Sequence, residues 1–277
     1  MACPDSPRRL IVNADDFGRS PAINEAVIRT HEEGILTSAS LMVAAEAANH
    51  AVALARAHPR LGVGLHLTLV CGSSALPPAA IPRLVDAQGR FRHAPVQTGL
   101  RYFFRRDLRA ELAGEIGAQL ARFRATGLPL DHVNGHLNLH LHPTILGLLL
   151  APTNATAIHH FRLTRDRFWL NTRLAPGHWA YRVSHALIFN LLCQHARARL
   201  RQRGIRCTHT VFGLLQNGRV DENYVLRLLP RLPPGDSELY SHPSLDQSRQ
   251  EFDALVSPRV RALVRELNIQ LIRYRDL

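Results

Sequence analysis

Two adjacent carboxylates, Asp15 and Asp16, follow the apolar residues 10–12 and precede Gly18. The apolar run is typical of a buried strand. The carboxylates are therefore expected at the carboxyl end of a sheet, where α/β proteins place their chemistry. Neighbouring side chains on an extended chain point in opposite directions, so we expect the two to face different partners. Taken alone, the segment also fits an Asx turn followed by a helix cap.

His66 lies in a segment, 62–70, in which large apolar residues alternate with small or polar ones. Val63, Leu65 and Leu67 share one face, whereas His66 shares the other with Gly64. In a barrel, one strand face packs against helices and the other points inward. The apolar face should meet the helices, so His66 is expected at the interior or the mouth. A hydrogen-bonded core histidine is the alternative for this residue alone.

A second segment, 131–143, carries an unusual density of imidazoles. If it is a strand, one face holds four histidines and two amides: His132, Asn134, His136, Asn138, His140 and His142. Such a face is hard to bury without a metal, an acidic partner or water. Imidazole is the commonest protein metal ligand, and one carboxylate with two histidines leaves open positions for catalysis on Zn²⁺, Fe²⁺ or a similar ion. Solvated surface histidines are the alternative.

His242 follows a further predicted strand, 237–241, so it belongs to the same rim of strand ends. Its position suits a general acid. The four cysteines show no CxxC spacing, which argues against a closed structural zinc site. We interpret them as reduced thiols of a cytoplasmic protein.

The elements that must position these residues alternate between strand and helix. Strands are predicted at 37–43, 62–70, 130–141, 158–163, 208–212 and 237–241, with helices at 21–33, 44–58, 107–126, 144–151, 221–229 and 248–266. This alternation favours a parallel sheet or barrel. The 277 residues, 46% of them hydrophobic, are enough for one barrel-sized domain over 1–277.

Two inserted segments, about 71–106 and 164–200, interrupt the alternation. The first is rich in proline and contains Tyr102, Phe103 and Phe104 flanked by arginines. The second contains an apolar run that begins at Trp179 and ends at Ala196, which is too short to span a bilayer. We expect that run to be a helix buried in the core or in a homodimer interface, or an interfacial helix that dips into lipid beside a basic rim.

Composition excludes some classes of function. All 34 basic residues are arginine and the net charge is +12, which could favour membrane surfaces or nucleic acid. The arginines are dispersed and no nucleic-acid-binding motif is present, so we expect no nucleic-acid partner. The amino-terminal residues lack the apolar core of a signal peptide. We expect a protein that is either free in the cytoplasm or peripheral on the inner face of the cytoplasmic membrane.

Four segments in order along the chain resemble the signatures of the YdjC-like carbohydrate deacetylases: 13–18, 64–68, 132–142 and 238–243. Within that family the sequence is most similar to the branch associated with hopanoid biosynthesis. The resemblance implies a distorted TIM-like (β/α) barrel, one divalent metal ion and removal of N-acetyl groups from amino sugars. Zn²⁺ is the first expectation for the metal, with Mg²⁺ or another divalent ion as alternatives.

Carried onto this chain, the resemblance implies that Asp16, His66 and His136 bind the metal. Asp15 would be the general base and His242 the general acid. The family often has histidine where this chain has Asn138, so Asn138 is left out of the metal site.

The implied substrate is an N-acetylglucosaminyl lipid of the hopanoid type, which membrane contact through residues 102–104 and 179–196 would serve. Soluble chitooligosaccharides or other N-acetylated sugars are the alternative. A metal-dependent phosphoesterase would usually need more carboxylates for a two-metal site than the sequence offers.

Overall fold

The computed structural model describes residues 7–155 and 158–277. Among these residues the strands are β1 Arg8–Phe17, β2 Ser38–Leu41, β3 Gly62–Leu67, β4 Val133–Gly135, β5 Thr210–Phe212, β6 Gly235–Ser241 and β7 Gln270–Leu271. The α-helices are α1 Pro21–Glu33, α2 Ala48–Ala57, α3 Pro95–Phe104, α4 Arg109–Ala125, α5 Pro143–Leu149, α6 Pro152–Ala155, α7 Phe168–Leu174, α8 Trp179–Gln202, α9 Glu222–Leu228, α10 Arg249–Val256 and α11 Pro258–Glu266. The predicted order of strands and helices is therefore largely confirmed.

The strands form one parallel sheet in the order β4-β3-β2-β1-β6-β5, with β7 paired to the start of β1. An extended segment, 158–165, joins the two ends of this order. Its Arg162 N–H donates to Val133 O of β4, and its Arg165 O accepts from Val211 N of β5 (3.0 Å each). The backbone hydrogen bonds thus close the sheet into the distorted barrel that the sequence predicts.

Local sequence explains the first strand and helix. Leu10, Ile11 and Val12 are fully buried in β1. The Ser20 hydroxyl accepts from Ile23 N at 3.2 Å and so caps α1, whose first residue is Pro21. These signals act over a few residues, which is why the sequence predicts them correctly.

Glycine makes room for the histidine-rich segment inside the barrel. A Cβ on Gly64 would lie 2.5 Å from the carbonyl oxygen of His132, closer than any side chain could approach. Gly64 shares the inward face of β3 with His66, as the alternation predicts. The small residue lets β4 come close enough for its polar side chains to meet those of β3.

Three predicted elements are wrong in extent. The strand at 130–141 ends at Gly135, because β3 offers no pairing partner beyond Leu67; the chain then turns through Leu137 and Asn138, both with left-handed φ. Residues 158–163 make only isolated bridges. The helix predicted at 248–266 is two helices, because Pro258 has no N–H and the Ser257 hydroxyl caps the second helix.

The two inserted segments are partly helical. The first, 71–106, contains α3 after an irregular stretch, and the second contains α7 and α8. Helix α8 buries Cys193, Ala196 and Leu200 but exposes Trp179 and Leu191, so it is not the fully buried helix that was one expectation. No helix among the described residues is long and apolar enough to cross a membrane.

A candidate metal centre and acid–base residues at the barrel mouth

A bulge near the end of β1 brings both carboxylates to the same site. The register against β2 shifts between Ala14 and Phe17, and Asp16 has a left-handed φ of 64°. As a result, Asp15 and Asp16 both approach His66, with Oδ1 atoms 3.9 Å from its Nδ1 and 3.3 Å from its Nε2 respectively. The two carboxylates nevertheless have different main partners, as the sequence predicts, because Arg162 binds Asp15 and His136 binds Asp16.

Asp16, His66 and His136 converge at the carboxyl ends of three strands. The Asp16 Oδ1 atom lies 2.9 Å from His136 Nδ1 and 3.3 Å from His66 Nε2. One potential ligand atom from each residue lies within 4.8 Å of the others, and all three side chains are buried. Burial raises the pKa of Asp16, but the hydrogen bond with His136 and the nearby His66 ring outweigh it and hold that pKa well below its usual range.

The environment of His66 fits a metal ligand. Its Nδ1 lies 2.7 Å from Asn134 Oδ1, so Nδ1 carries the proton and Nε2 presents its lone pair. Within the described part of the chain, that buried Nε2 has no hydrogen-bond partner. An imidazole fixed through one nitrogen, with the other free toward a carboxylate and a second imidazole, is the arrangement of metal-binding histidines. One carboxylate and two imidazoles suit Zn²⁺ and similar ions.

Asp15 belongs to a separate buried network. Arg162 binds both of its oxygens, with Nη1–Oδ2 at 2.7 Å and Nη2–Oδ1 at 3.0 Å. Asn13 Nδ2 donates to Oδ1 at 2.9 Å. Burial raises the pKa of Asp15, but the Arg162 charge, with a smaller effect of His66, holds it below its usual range. Asp15 is therefore an ionised, oriented carboxylate beside the candidate metal centre.

Arg162 also anchors a second buried carboxylate, Glu238. Its Nε and Nη2 atoms lie 2.9 and 2.7 Å from Glu238 Oε1. The Tyr274 hydroxyl donates to the other oxygen of Glu238. Arg162 and Glu238 are fully buried. The guanidinium thus links β6 to β1 through charge-assisted hydrogen bonds to two carboxylates, Glu238 and Asp15.

His242 follows the last residue of β6, and the β1–β6 register pairs the preceding Ser241 with Ala14. Its backbone N–H donates to Glu251 Oε2 at 2.5 Å, and its Nδ1 lies 3.8 Å from the same oxygen. Burial lowers the pKa of His242, but Glu251, Asp16 and Asp15 together raise it to about 9. A cationic imidazole on the rim next to Asp15 can donate a proton.

The remaining histidines of 131–143 do not share one face. His132 Nε2 lies 2.9 Å from the Ser40 hydroxyl, and its ring stacks on Tyr274. His140 Nε2 lies 3.0 Å from Arg162 O, and burial lowers the pKa of His140 to about 3. His142 packs edge-on against Phe103. They are structural or lining residues, and a solvated histidine face is wrong because His132 and His140 are buried.

The aromatic cluster of α3 is divided between core and surface. Tyr102 is buried and donates its hydroxyl to Leu69 O, so the expectation that it contacts a membrane is wrong. Phe103 and Phe104 are half exposed or more, at 51% and 71%. Since Phe103 packs on His142, the exposed face of α3 borders the barrel mouth.

Fold and site together define an α/β barrel with a candidate mononuclear metal centre, and with an ionised Asp15 and His242 beside it, at the carboxyl ends of its strands. Residues 9–266 match the family model described as YdjC-like protein, and the chain belongs to that family.

Relatives agree with this assignment. A carbohydrate deacetylase of Brevibacillus brevis is 46% identical over 142 residues, 51% of this chain and 54% of the relative. One of Geobacillus stearothermophilus is 41% identical over 140 residues, 50% and 53% of the two chains. The chain thus spans about half the length of these curated relatives. A chitooligosaccharide deacetylase of Serratia marcescens is 29% identical over 97% of this chain and 98% of the relative.

A crystal structure from Enterococcus faecalis V583, described as a candidate cellobiose-phosphate cleavage protein, has the same fold. It superposes with a TM-score of 0.75 at 23% identity and covers 98% of this chain and 99% of that one.

Sequence reasoning missed Arg162, Glu238 and Glu251. Arg162 was one arginine among many, in a segment predicted as an ordinary strand. The signal that could have found it is charge balance, because a buried Asp15 needs a buried cation. The sequence identifies Asn134 only as an amide on the histidine face, whereas its hydrogen bond to His66 Nδ1 shows its part in the site.

Proposed function

We propose that this protein is a metal-dependent carbohydrate N-deacetylase that hydrolyses the N-acetyl group of an amino sugar. The observation that carries the proposal is the convergence of Asp16, His66 and His136 beside an ionised Asp15 that stays off the cluster. The names of the relatives support the reaction class. Zn²⁺ is the proposed ion, because one carboxylate and two imidazoles with open positions are typical of catalytic zinc.

Asp16, His66 and His136 would hold the ion, which when bound would polarise the amide carbonyl and lower the pKa of a water molecule toward 7. Asp15 accepts the proton of the attacking water. Arg162 keeps Asp15 ionised and fixes the direction of its oxygens.

His242 protonates the leaving amine. Its raised pKa, about 9, keeps it protonated at neutral pH, and Glu251 holds it in position. An amine leaves only when protonated, so the reaction needs an acid as well as a base. Two groups with oppositely shifted pKa values on one rim meet that requirement.

Two substitutions test these roles. Asp15→Asn and His242→Ala should each lower kcat at least 100-fold while the metal content stays near one ion per chain. Asp131→Asn is the matched control, because this buried carboxylate pairs with Arg275 and His132 and contacts neither Asp15 nor the candidate metal ligands directly. Loss of metal from the first two variants would show that the roles of Asp15 and His242 are wrongly assigned.

For the substrate, we propose an N-acetylglucosaminyl lipid of the hopanoid type. The support is the apolar surface beside the mouth. Helix α3 exposes Leu100 and Phe104, and α8 exposes Trp179. The Tyr181 hydroxyl donates to Leu214 O just after β5, which places the start of α8 at the same end of the barrel. Such surfaces suit an enzyme that reaches a membrane-embedded substrate from a peripheral position.

Soluble chitooligosaccharides are the second candidate, favoured by the nearly full-length match to the Serratia marcescens deacetylase. Rates on a lipid-linked and a free acetylated glucosamine distinguish the two, together with co-sedimentation with vesicles. Leu100→Ser with Phe104→Ser should lower only the lipid-linked rate, whereas Leu271→Ser, on the exposed β7, should change neither. Equal rates without vesicle binding would refute the lipid substrate.

A further inference from the structure

A cavity separate from the candidate metal centre lies between α7, α8 and the amino ends of β5 and β6. Its volume is about 1230 Å³, and its lining includes none of the residues of the candidate metal centre. The barrel side of this cleft is formed by His209 and Thr210 at the start of β5 and by Pro233 and Pro234 before β6. We call it the α7–α8 cleft.

The α7–α8 cleft is strongly cationic. Five arginines line it: Arg165, Arg167, Arg173, Arg197 and Arg231. All five are exposed, and none forms an ion pair with a carboxylate among residues 7–155 and 158–277.

Among the described residues, Asp166 is the one carboxylate in the lining of the cleft, and its oxygens already accept hydrogen bonds from other groups of the protein. They accept from Leu215 N, Arg167 N and Asn171 Nδ2. Guanidiniums without an ion-pair partner, beside a carboxylate whose oxygens already accept other hydrogen bonds, favour an anion, and Arg binds phosphate with two parallel hydrogen bonds.

The other part of the lining is apolar. Phe168, Trp169 and Leu170 come from α7, and Val183, Ala186 and Leu187 come from α8. Val183 and Leu187 also belong to an exposed stripe on α8, which continues to Leu191 at 67% exposure. A cationic cleft that opens onto an apolar stripe matches a ligand with an anionic head and hydrocarbon chains.

We propose that the α7–α8 cleft binds the phosphate headgroup of an anionic phospholipid in a bilayer, with the acyl region against the exposed stripe of α8. A second copy of this chain fits less well, because a two-fold contact through the cleft would bring two sets of five arginines together. Nucleic acid would leave the apolar stripe without a partner. The inference goes beyond the proposed reaction and does not depend on it.

The test measures binding of the full chain to vesicles in the absence of any sugar. Vesicles of phosphatidylglycerol mixed with phosphatidylcholine are compared with pure phosphatidylcholine at fixed ionic strength. Each arginine near an anionic membrane contributes about fivefold in affinity, so Arg165→Gln with Arg167→Gln should weaken binding to the anionic vesicles about 30-fold. The matched control removes the same charge from α11, as Arg261→Gln with Arg265→Gln, and should change binding less than twofold.

A second pair, Arg173→Gln with Arg197→Gln on the helical wall, should give a similar loss, and far-ultraviolet circular dichroism checks that each variant is folded.

Equal binding to both kinds of vesicle, or equal losses in the cleft and control variants, would overturn the proposal. So would displacement from vesicles by an equal concentration of free glycerol phosphate, which would make the cleft a site for soluble phosphates. A dimer or a nucleic-acid complex that weakens in the same cleft variants would also replace the phospholipid as occupant. Deacetylation of a soluble substrate should be unchanged in all of these variants, so failure of this inference is separable from failure of the proposed reaction.

Discussion

Removing the Arg162 guanidinium should weaken both the fold and the proposed general base. In Arg162→Met the side chain keeps an unbranched apolar stem but loses the guanidinium and its four contacts to carboxylate oxygens, two on Asp15 and two on Glu238. Both carboxylates are buried, so they would remain as uncompensated charges. Breaking a buried ion pair from one side costs about 3–5 kcal/mol, so we expect a loss of about 4 kcal/mol in the free energy of unfolding at pH 7.

This loss corresponds to a fall of about 10 °C in Tm for a chain of this size. The difference in the free energy of unfolding between wild-type protein and variant should shrink as the pH is lowered. The two carboxylates have raised folded-state pKa values in the variant, so they become neutral at a higher pH than in the wild-type protein. Proton uptake by the folded variant therefore stabilises it relative to the wild-type protein in acid. Urea unfolding at pH 7 and pH 5 measures the difference.

Activity provides the readout that distinguishes orientation of Asp15 from stability alone. An arginine beside an aspartate lowers the pKa of that aspartate by about 1–3 units. Loss of Arg162 should therefore shift the acid limb of the pH profile of kcat/KM to higher pH by a similar amount. The value of kcat/KM at its optimum should fall about 100-fold, since the base is no longer oriented.

Arg182→Met is the matched control. Arg182 is as buried as Arg162, but its guanidinium donates to the carbonyl oxygens of Ala175 and Leu215 and not to Asp15 or Glu238. It should lose stability without moving the acid limb. If Arg162→Met unfolds with a loss below about 1 kcal/mol, or keeps the wild-type acid limb, the reasoning about the buried network is wrong.

Three further results are expected. Asn134→Ala removes the acceptor of His66 Nδ1 and should weaken metal affinity about 10–100-fold in a competitive chelator titration, whereas unchanged affinity would contradict the positioning of His66. Burial raises the pKa of Asp131, but His132 and Arg275 outweigh it and hold this pKa at about 2, against 3.8 unfolded. Because the folded-state pKa is the lower one, ionised Asp131 contributes about 2 kcal/mol to the free energy of unfolding above pH 4, and this contribution is lost as the pH falls from about 4 to 2. The free energy of unfolding of Asp131→Asn should lack this pH dependence. Chelation of the metal by EDTA should lower Tm by about 7 °C relative to protein with Zn²⁺ at 100 times its Kd, and an unchanged Tm would argue against a resident metal.

Several features of this protein follow from short stretches of sequence. The apolar residues of β1, the Ser20 cap of α1 and the alternation of β3 depend on neighbours a few positions away, and periodicity reports them directly. The chemistry of the candidate ligands is also a property of residue type. An acidic pair after one strand and histidines near the ends of others predict a metal site at one rim, because parallel strands end at the same edge of the sheet.

Other features depend on contacts between distant parts of the chain. The bulge that turns Asp16 toward His66 arises where β1 changes register against β2. The turn after Gly135 exists because β3 ends at Leu67, and alternation within 131–143 carries no information about that end. Pairing of Asp15 with Arg162 spans 147 positions along the chain.

The sequence alone therefore determined which side chains could bind a metal and where strands would deliver them. Tertiary structure decided which oxygen meets which nitrogen, that Asp15 and Asp16 approach the same imidazole, and that Tyr102 is buried while Phe104 is exposed. The physical reason is that strand periodicity sets only the face on which a side chain lies. Strand ends, bulges and buried charge partners depend on which segments become neighbours when the barrel closes.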